Sequence, residues 1–101
     1  MDKALVIIPT YNEVENIEII VKKTLERKDF DILVVDDMSP DGTADVVLEL
    51  KKKYNSRLFL EQRACKEGLG KAYIQGFRWA LKNKYDFIFE MDADLSHDPK
   101  E

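Results

Sequence analysis

The sequence holds one cysteine, one histidine and one tryptophan, with only four glycines and three prolines among its 101 residues. A lone thiol, Cys65, closes no intrachain disulfide and builds no thiolate zinc site, which matches a reducing compartment. No apolar run approaches the ~20 residues of a bilayer-crossing helix. The amino terminus also lacks a basic segment leading into an apolar stretch. A surplus of positive charge is missing too: 16 Lys and Arg against 20 Asp and Glu give a net charge of −4. No excess of cations is available to displace counterions, so a nucleic-acid binder held by phosphate contacts is disfavoured. There is no internal repeat and no low-complexity linker. What remains is a soluble, cytoplasmic chain of globular composition, 45% apolar and 36% charged, with the length of one small domain.

Apolar stretches alternate with amphipathic ones. Residues 4–8 and 31–35 are continuous rather than alternating, the signature of strands buried on both faces. Arg57 to Leu60 is a short third strand, and Tyr85 to Phe89 a fourth that also looks buried and closes at Met91. Between them lie three helices. The first is expected from about Glu13 to Arg27, capped by Asn12 with Glu15 at its third position. Its inner face would carry Val14, Ile17, Val21 and Leu25. The second follows the turn Ser39-Pro40-Asp41-Gly42-Thr43 and runs from about Ala44 to Tyr54, with Val46, Val47, Leu50 and Tyr54 inside. The third places Leu69, Ala72, Tyr73, Gly76, Phe77, Ala80 and Leu81 at helical spacing. The order β-α-β-α-β-α-β implies an α/β fold with a parallel sheet wrapped by helices. Little chain follows the fourth strand, so its apolar edge stands uncovered. Such an edge invites self-association, and the 101 residues read as part of a larger domain.

Ligands of open α/β sheets bind beyond the carboxyl ends of the strands, where the strand order reverses. With the order 3-2-1-4 the reversal lies between strands one and four. Pro9-Thr10-Tyr11-Asn12-Glu13 leaves the first strand, Asp36-Asp37 the second, and Asp92-Ala93-Asp94-Leu95-Ser96-His97 the fourth. One crevice would then collect an aromatic ring and five carboxylates, which repel unless a cation joins them. Mg²⁺ is usually held by one or two carboxylates plus substrate phosphates, and an Asp-x-Asp pair just past a strand end suits that task. Each piece alone has a plainer reading: Asp-x-Asp can cap a turn, Asp36-Asp37 can be turn residues, and Tyr11 can be a packing residue. Their coincidence at one switch point indicates a metal–diphosphate site.

Other nucleotide motifs are absent. Gly68-Leu69-Gly70-Lys71 is no P-loop, because Cys65 stands where the first glycine is needed and Ala72 replaces the Ser/Thr. It reads as a helix-entry turn. No Gly-x-Gly-x-x-Gly follows the first strand. A phospho-receiver domain would carry its acidic pair after strand one, where Tyr11-Asn12-Glu13 stands, and an Asp after strand three, where Glu61-Gln62-Arg63 stands. A nucleotidyltransferase would place a Gly-rich basic loop after strand one. His97 reads as exposed or bonded to backbone.

Taken in order, Pro9 to Glu13, Val35-Asp36-Asp37-x-Ser-Pro-Asp-Gly-Thr, Gly68-Leu69-Gly70-x-Ala-Tyr and Met91 to His97 resemble the family 2 glycosyltransferases of the GT-A fold. More narrowly, the match is similar to the dolichyl-phosphate (polyprenyl-phosphate) mannose synthases. It runs from Ala4 to Pro99, and residues 1–101 then correspond to the amino-terminal, nucleotide-sugar-binding half of that domain. The resemblance implies a Rossmann-like sheet with helices on both faces. It also implies metal-dependent transfer of a sugar, typically mannose from GDP-mannose, to a polyprenyl or dolichyl phosphate with inversion. By that analogy Pro9, Tyr11 and Glu13 line the guanosine pocket, and Val35 and Asp37 contact base or ribose. Asp92, Ala93 and Asp94 lie at the ribose and diphosphate, with Asp94 the main ligand of Mg²⁺ or Mn²⁺ and Asp92 assisting. No catalytic base is assigned, since a phosphate acceptor is already an anion near neutral pH.

Three departures from the family pattern stand out: Ser96 where relatives carry Gln, Met38 where they often have a small or polar residue, and Glu67 in place of an apolar one. The half missing from this length supplies acceptor-side residues and a membrane-facing region, so peripheral membrane attachment would come through those segments. The alternative is a nucleotide-sugar or metal-binding fragment without turnover of its own.

Overall fold

The continuous apolar runs become the two central strands of a parallel sheet. The computed structural model describes residues 3–63 and 69–91. Within them lie β1 (Ala4–Thr10), α1 (Ile17–Leu25), β2 (Phe30–Asp36), α2 (Thr43–Lys53), β3 (Leu58–Gln62), α3 (Leu69–Lys82) and β4 (Phe87–Glu90). The strands are ordered β3-β2-β1-β4, all parallel, with Ile7 opposite Leu33 on one side and Glu90 on the other. The expected α/β class and strand order therefore stand.

Side chains of the two inner strands alternate between two cores, as the period of two requires. Val6, Ile8, Ile32 and Val34 join Ile17, Ile20, Val21 and Leu25 of α1 and Val47 and Leu50 of α2. Leu5, Ile7, Leu33 and Val35 join Ala72 and Ala80 of α3, with Phe59 and Trp79 at the margin. The chain crosses from β1 to β3 in one direction and returns to β4 in the other. With one hand of crossover, that reversal puts α3 on the face opposite α1 and α2.

Helix α3 approaches the sheet through small residues four apart. Ala72 and Ala80 are fully buried. A Cβ built on Gly76, between them, would lie 2.8 Å from Ile7 Cγ2 and 3.2 Å from Val35 Cγ2. This ridge splits the set that the sequence placed at one helical spacing: Phe77 and Leu81 are 51% and 61% exposed. One face of a helix fits one sheet, and the small residues won it because they permit the closest backbone approach.

Three expectations are corrected. Helix α1 begins at Ile17, four residues late, with Asn16 at its N-cap and no side-chain cap bond. Asn12 sits at φ 57° instead, and residues 13–16 form a separate turn in which the Asn16 and Ile17 N–H groups donate to Glu13 O. Asn12 therefore caps nothing, and Glu15 lies ahead of the helix. Strand β3 runs on to Gln62. Strand β4 is half-buried at most: Phe87 and Phe89 are 50% and 49% exposed, because an edge strand covered on one face buries only alternate residues.

Candidate functional site

The loops leaving β1 and β2 are joined by a network of side-chain hydrogen bonds. Asp36, 2% exposed, ends β2 with its carboxylate already occupied. Oδ1 accepts from Thr10 Oγ1 at 2.7 Å and Ser39 Oγ at 2.6 Å, and Oδ2 accepts from the Ser39 N–H at 3.0 Å. A buried carboxylate needs such donors, and three of them fix it as a brace between the two strand ends.

The next loop then captures the first one. The Asn12 N–H donates to Ser39 Oγ (2.9 Å), the Glu13 N–H to Thr43 Oγ1 (3.0 Å) and the Val14 N–H to Asp41 Oδ2 (3.1 Å). These are the backbone donors that a helix start would leave orphaned. Satisfying them from β2's loop explains why α1 starts late and why residues 12–14 hold their shape. Asp41 also accepts from the Thr43 N–H at 3.0 Å and the Thr43 hydroxyl, an Asx turn that Gly42 completes at φ 91°. Burial pushes the Asp41 carboxyl upward, but the bonds from Thr43 and the Val14 N–H outweigh it and hold it below its ordinary value of 3.8. Met38 occupies φ 62° and is 59% exposed. That backbone region penalises a large side chain, which is the physical reason a small residue suits this place.

Asp37 sits one residue past β2, its N–H donating to Thr10 O at 2.9 Å. Its side chain is 1% exposed and faces Arg63 Nε at 3.0 Å, itself 9% exposed. Arg63 also donates through Nη1 to Lys71 O (3.0 Å) and Gln75 Oε1 (3.1 Å). One guanidinium thus ties the carboxylate beyond β2 to the first turns of α3. Sequence reasoning missed Arg63. The available signal was its place just after the third strand, which puts Arg63 at the same sheet end as Asp37.

Of the residues singled out in the sequence, Pro9 is buried at the end of β1, while Tyr11 and Glu13 are half-buried in the loop that follows. The Val35 side chain lies in the core beneath α3. The structure brings Pro9, Tyr11, Glu13 and Asp37 to the carboxyl end of the sheet, beside the switch between β1 and β4. Asp92, Ala93, Asp94, Ser96 and His97 lie outside the described residues, as do Cys65, Glu67 and Gly68. Among the described residues no cluster of three or more His, Cys, Asp or Glu side chains could hold a metal ion. The Asp36 carboxylate is occupied by Thr10 and Ser39, and that of Asp37 faces Arg63. The last described residue, Met91, donates its N–H to Ile7 O at 3.0 Å, beside β1. No helix among the described residues is long and apolar enough to cross a membrane.

In a parallel α/β sheet of this kind, ligands bind beyond the carboxyl ends of the strands, at the switch point. The Glycosyl transferase family 2 model matches residues 5–101, and the chain belongs to that family. It is 44% identical over 100 residues to the undecaprenyl-phosphate mannosyltransferase of Micrococcus luteus, across 98% of this chain and 41% of that protein. It is 48% identical over 100 residues to the polyprenol monophosphomannose synthase of Mycolicibacterium smegmatis, across 98% of this chain and 38% of that protein. The chain thus spans about two-fifths of the length of these relatives. Among solved structures, the mannosyltransferase PcManGT from Pyrobaculum calidifontis in complex with GDP-Man and Mn²⁺ superposes with a TM-score of 0.81 at 29% identity, covering 91% of this chain and 27% of that one. S. aureus TarS 1-349 in complex with UDP gives 0.66 at 31% identity, with the same coverage.

Proposed function

We propose that the chain is the donor-binding part of a mannosyltransferase that passes mannose from GDP-mannose to a polyprenyl phosphate with inversion. The observation that carries this reading is the pair of braced loops leaving β1 and β2 at the carboxyl end of the sheet, in a chain 44% and 48% identical to two polyprenyl-phosphate mannosyl-transferring relatives. Tyr11 and Glu13 follow β1 in a loop whose backbone is held by Ser39, Asp41 and Thr43. A preformed wall of this kind lowers the ordering cost of binding a nucleoside. Pro9, Tyr11 and Glu13 would face the guanosine, and Asp37, oriented by Arg63, its base or ribose. Val35 would act through its backbone, its side chain being committed to the core. Asp92 and Asp94 would hold Mg²⁺ or Mn²⁺, with Ala93 between them at the diphosphate. The complex of PcManGT with GDP-Man and Mn²⁺ supports that pairing of donor and metal. When bound, the cation offsets the charge of the diphosphate leaving group.

In the transfer, the bond from the anomeric carbon to the diphosphate oxygen breaks as an acceptor phosphate oxygen bonds to the opposite face of that carbon. The transition state has oxocarbenium character. The acceptor arrives as an anion, so no residue here is required to remove a proton.

The test is calorimetric titration of GDP and GDP-mannose, with and without Mn²⁺, into the chain and an Asp94→Ala variant. Metal-dependent binding that the variant loses is the expected result. Absence of binding, both to the folded chain and to a protein of the relatives' full length, would overturn the reading. Binding without transfer by that longer protein would select the alternative, a nucleotide-sugar-binding module.

A further inference from the structure

The Asp37 carboxylate is buried, and the cation facing it is steadied from a different element. Arg63 Nε lies 3.0 Å from Asp37 Oδ1, an ion-pair contact set by charge and distance. The directional bonds of the same guanidinium run to α3, from Nη1 to Lys71 O at 3.0 Å and to Gln75 Oε1 at 3.1 Å. Residues 71 and 75 are one helical turn apart, so both acceptors stand on one side of the start of α3. A guanidinium is planar and carries its donors in a rigid fork. Fixing Nη1 on α3 therefore fixes where Nε points, and through it where the Asp37 carboxylate rests. Arg63 offers only donors, so the Gln75 amide must turn its oxygen toward it. The buried ridge of Ala72, Gly76 and Ala80 holds α3 against the sheet, which gives that oxygen a fixed support.

We propose that Gln75 is a positioning residue of the donor site: it holds the Arg63 guanidinium, and Arg63 holds Asp37 where a nucleoside would meet it. The role requires no contact between Gln75 and the ligand. It rests on the function proposed above in one respect, that Asp37 faces the base or ribose. A carboxylate set in place before the ligand arrives spares part of the ordering cost of binding.

Two substitutions separate this role from simple packing on the helix. Gln75→Met removes the acceptor and Gln75→Glu keeps it, with little change in length or helix propensity. Gln75 borders an open groove of about 600 Å³, so both side chains fit without repacking. In calorimetric titration Gln75→Met should bind GDP about tenfold more weakly, the low end for a hydrogen bond to a charged group. Gln75→Glu should stay near the parent chain. A second readout uses no ligand. The Arg63 Nε–H signal in proton–nitrogen NMR spectra, identified by its loss in Arg63→Lys, should shift and exchange faster with solvent in Gln75→Met but not in Gln75→Glu. Unchanged GDP affinity in Gln75→Met, or an equal loss in Gln75→Glu, would overturn the proposal, as would an unchanged Arg63 signal. If neither the chain nor a protein of the relatives' full length binds GDP, the functional reading falls, and the NMR comparison still decides whether Gln75 holds the pair.

Discussion

Gly76→Ala should lift α3 from the sheet. The added Cβ would stand 2.8 Å from Ile7 Cγ2, 3.2 Å from Val35 Cγ2 and 3.3 Å from Ile7 Cδ1. Favourable carbon–carbon separations are about 3.5–4.0 Å, so the nearest contact is at least about 0.7 Å too short. Ile7 Cγ2 is a branch at the β-carbon of a central strand and cannot swing aside without leaving its rotamer. Overpacking of this kind costs about 1–3 kcal/mol, against which the better helix propensity of alanine returns up to about 1 kcal/mol.

Gly70→Ala is the control that isolates the clash. It lies on the same helix, and its added Cβ would meet nothing within 4 Å. Urea unfolding should therefore place Gly76→Ala about 1–3 kcal/mol below Gly70→Ala, or roughly 4–8 °C per kcal/mol in a thermal melt. Ile7→Ala, which removes Cγ2, should cost less in the Gly76→Ala background than alone, whereas Ile7→Val, which keeps it, should give little relief. GDP affinity should fall as well, because Gln75, next to Gly76, accepts the Arg63 bond that orients Asp37. Equal stability of the two alanine variants would refute the close-approach argument.

Two further predictions concern the braces. Arg63→Met removes the cation facing a carboxylate that is 1% exposed. It should destabilise the chain by about 3–5 kcal/mol in urea titration, and Asp37→Asn added to it should recover part of that loss; strict additivity would deny the pair. The Asp41 carboxyl is held below its ordinary value of 3.8. A depressed carboxyl contributes stability that is present above its unfolded pKa and lost as pH falls through the folded one. Thermal melts of the chain should therefore drop on the acid side of 3.8 more steeply than those of Asp41→Asn, and matching acid limbs would disprove the linkage.

The two continuous apolar runs and the alternation of strand with helix already determined the class. Continuous burial demands helices on both faces, and that is a local property of residues 4–8 and 31–35. The motif residues around Tyr11, Asp37 and Asp94 were equally visible as residue types at strand ends. Tertiary structure decided their division of labour. Asp36 and Asp37 look alike in sequence, yet one is satisfied by Thr10 and Ser39 and the other by Arg63, partners 26 residues away or only three for the first, and a strand away for the second. Asn12 carried every sign of a helix cap, but Ser39, Asp41 and Thr43 reached its loop first and moved the helix start to Ile17. On α3, periodicity alone could not choose between two apolar stripes. The sheet took the stripe of Ala72, Gly76 and Ala80, since small side chains allow the closest packing, and left Phe77 and Leu81 facing outward.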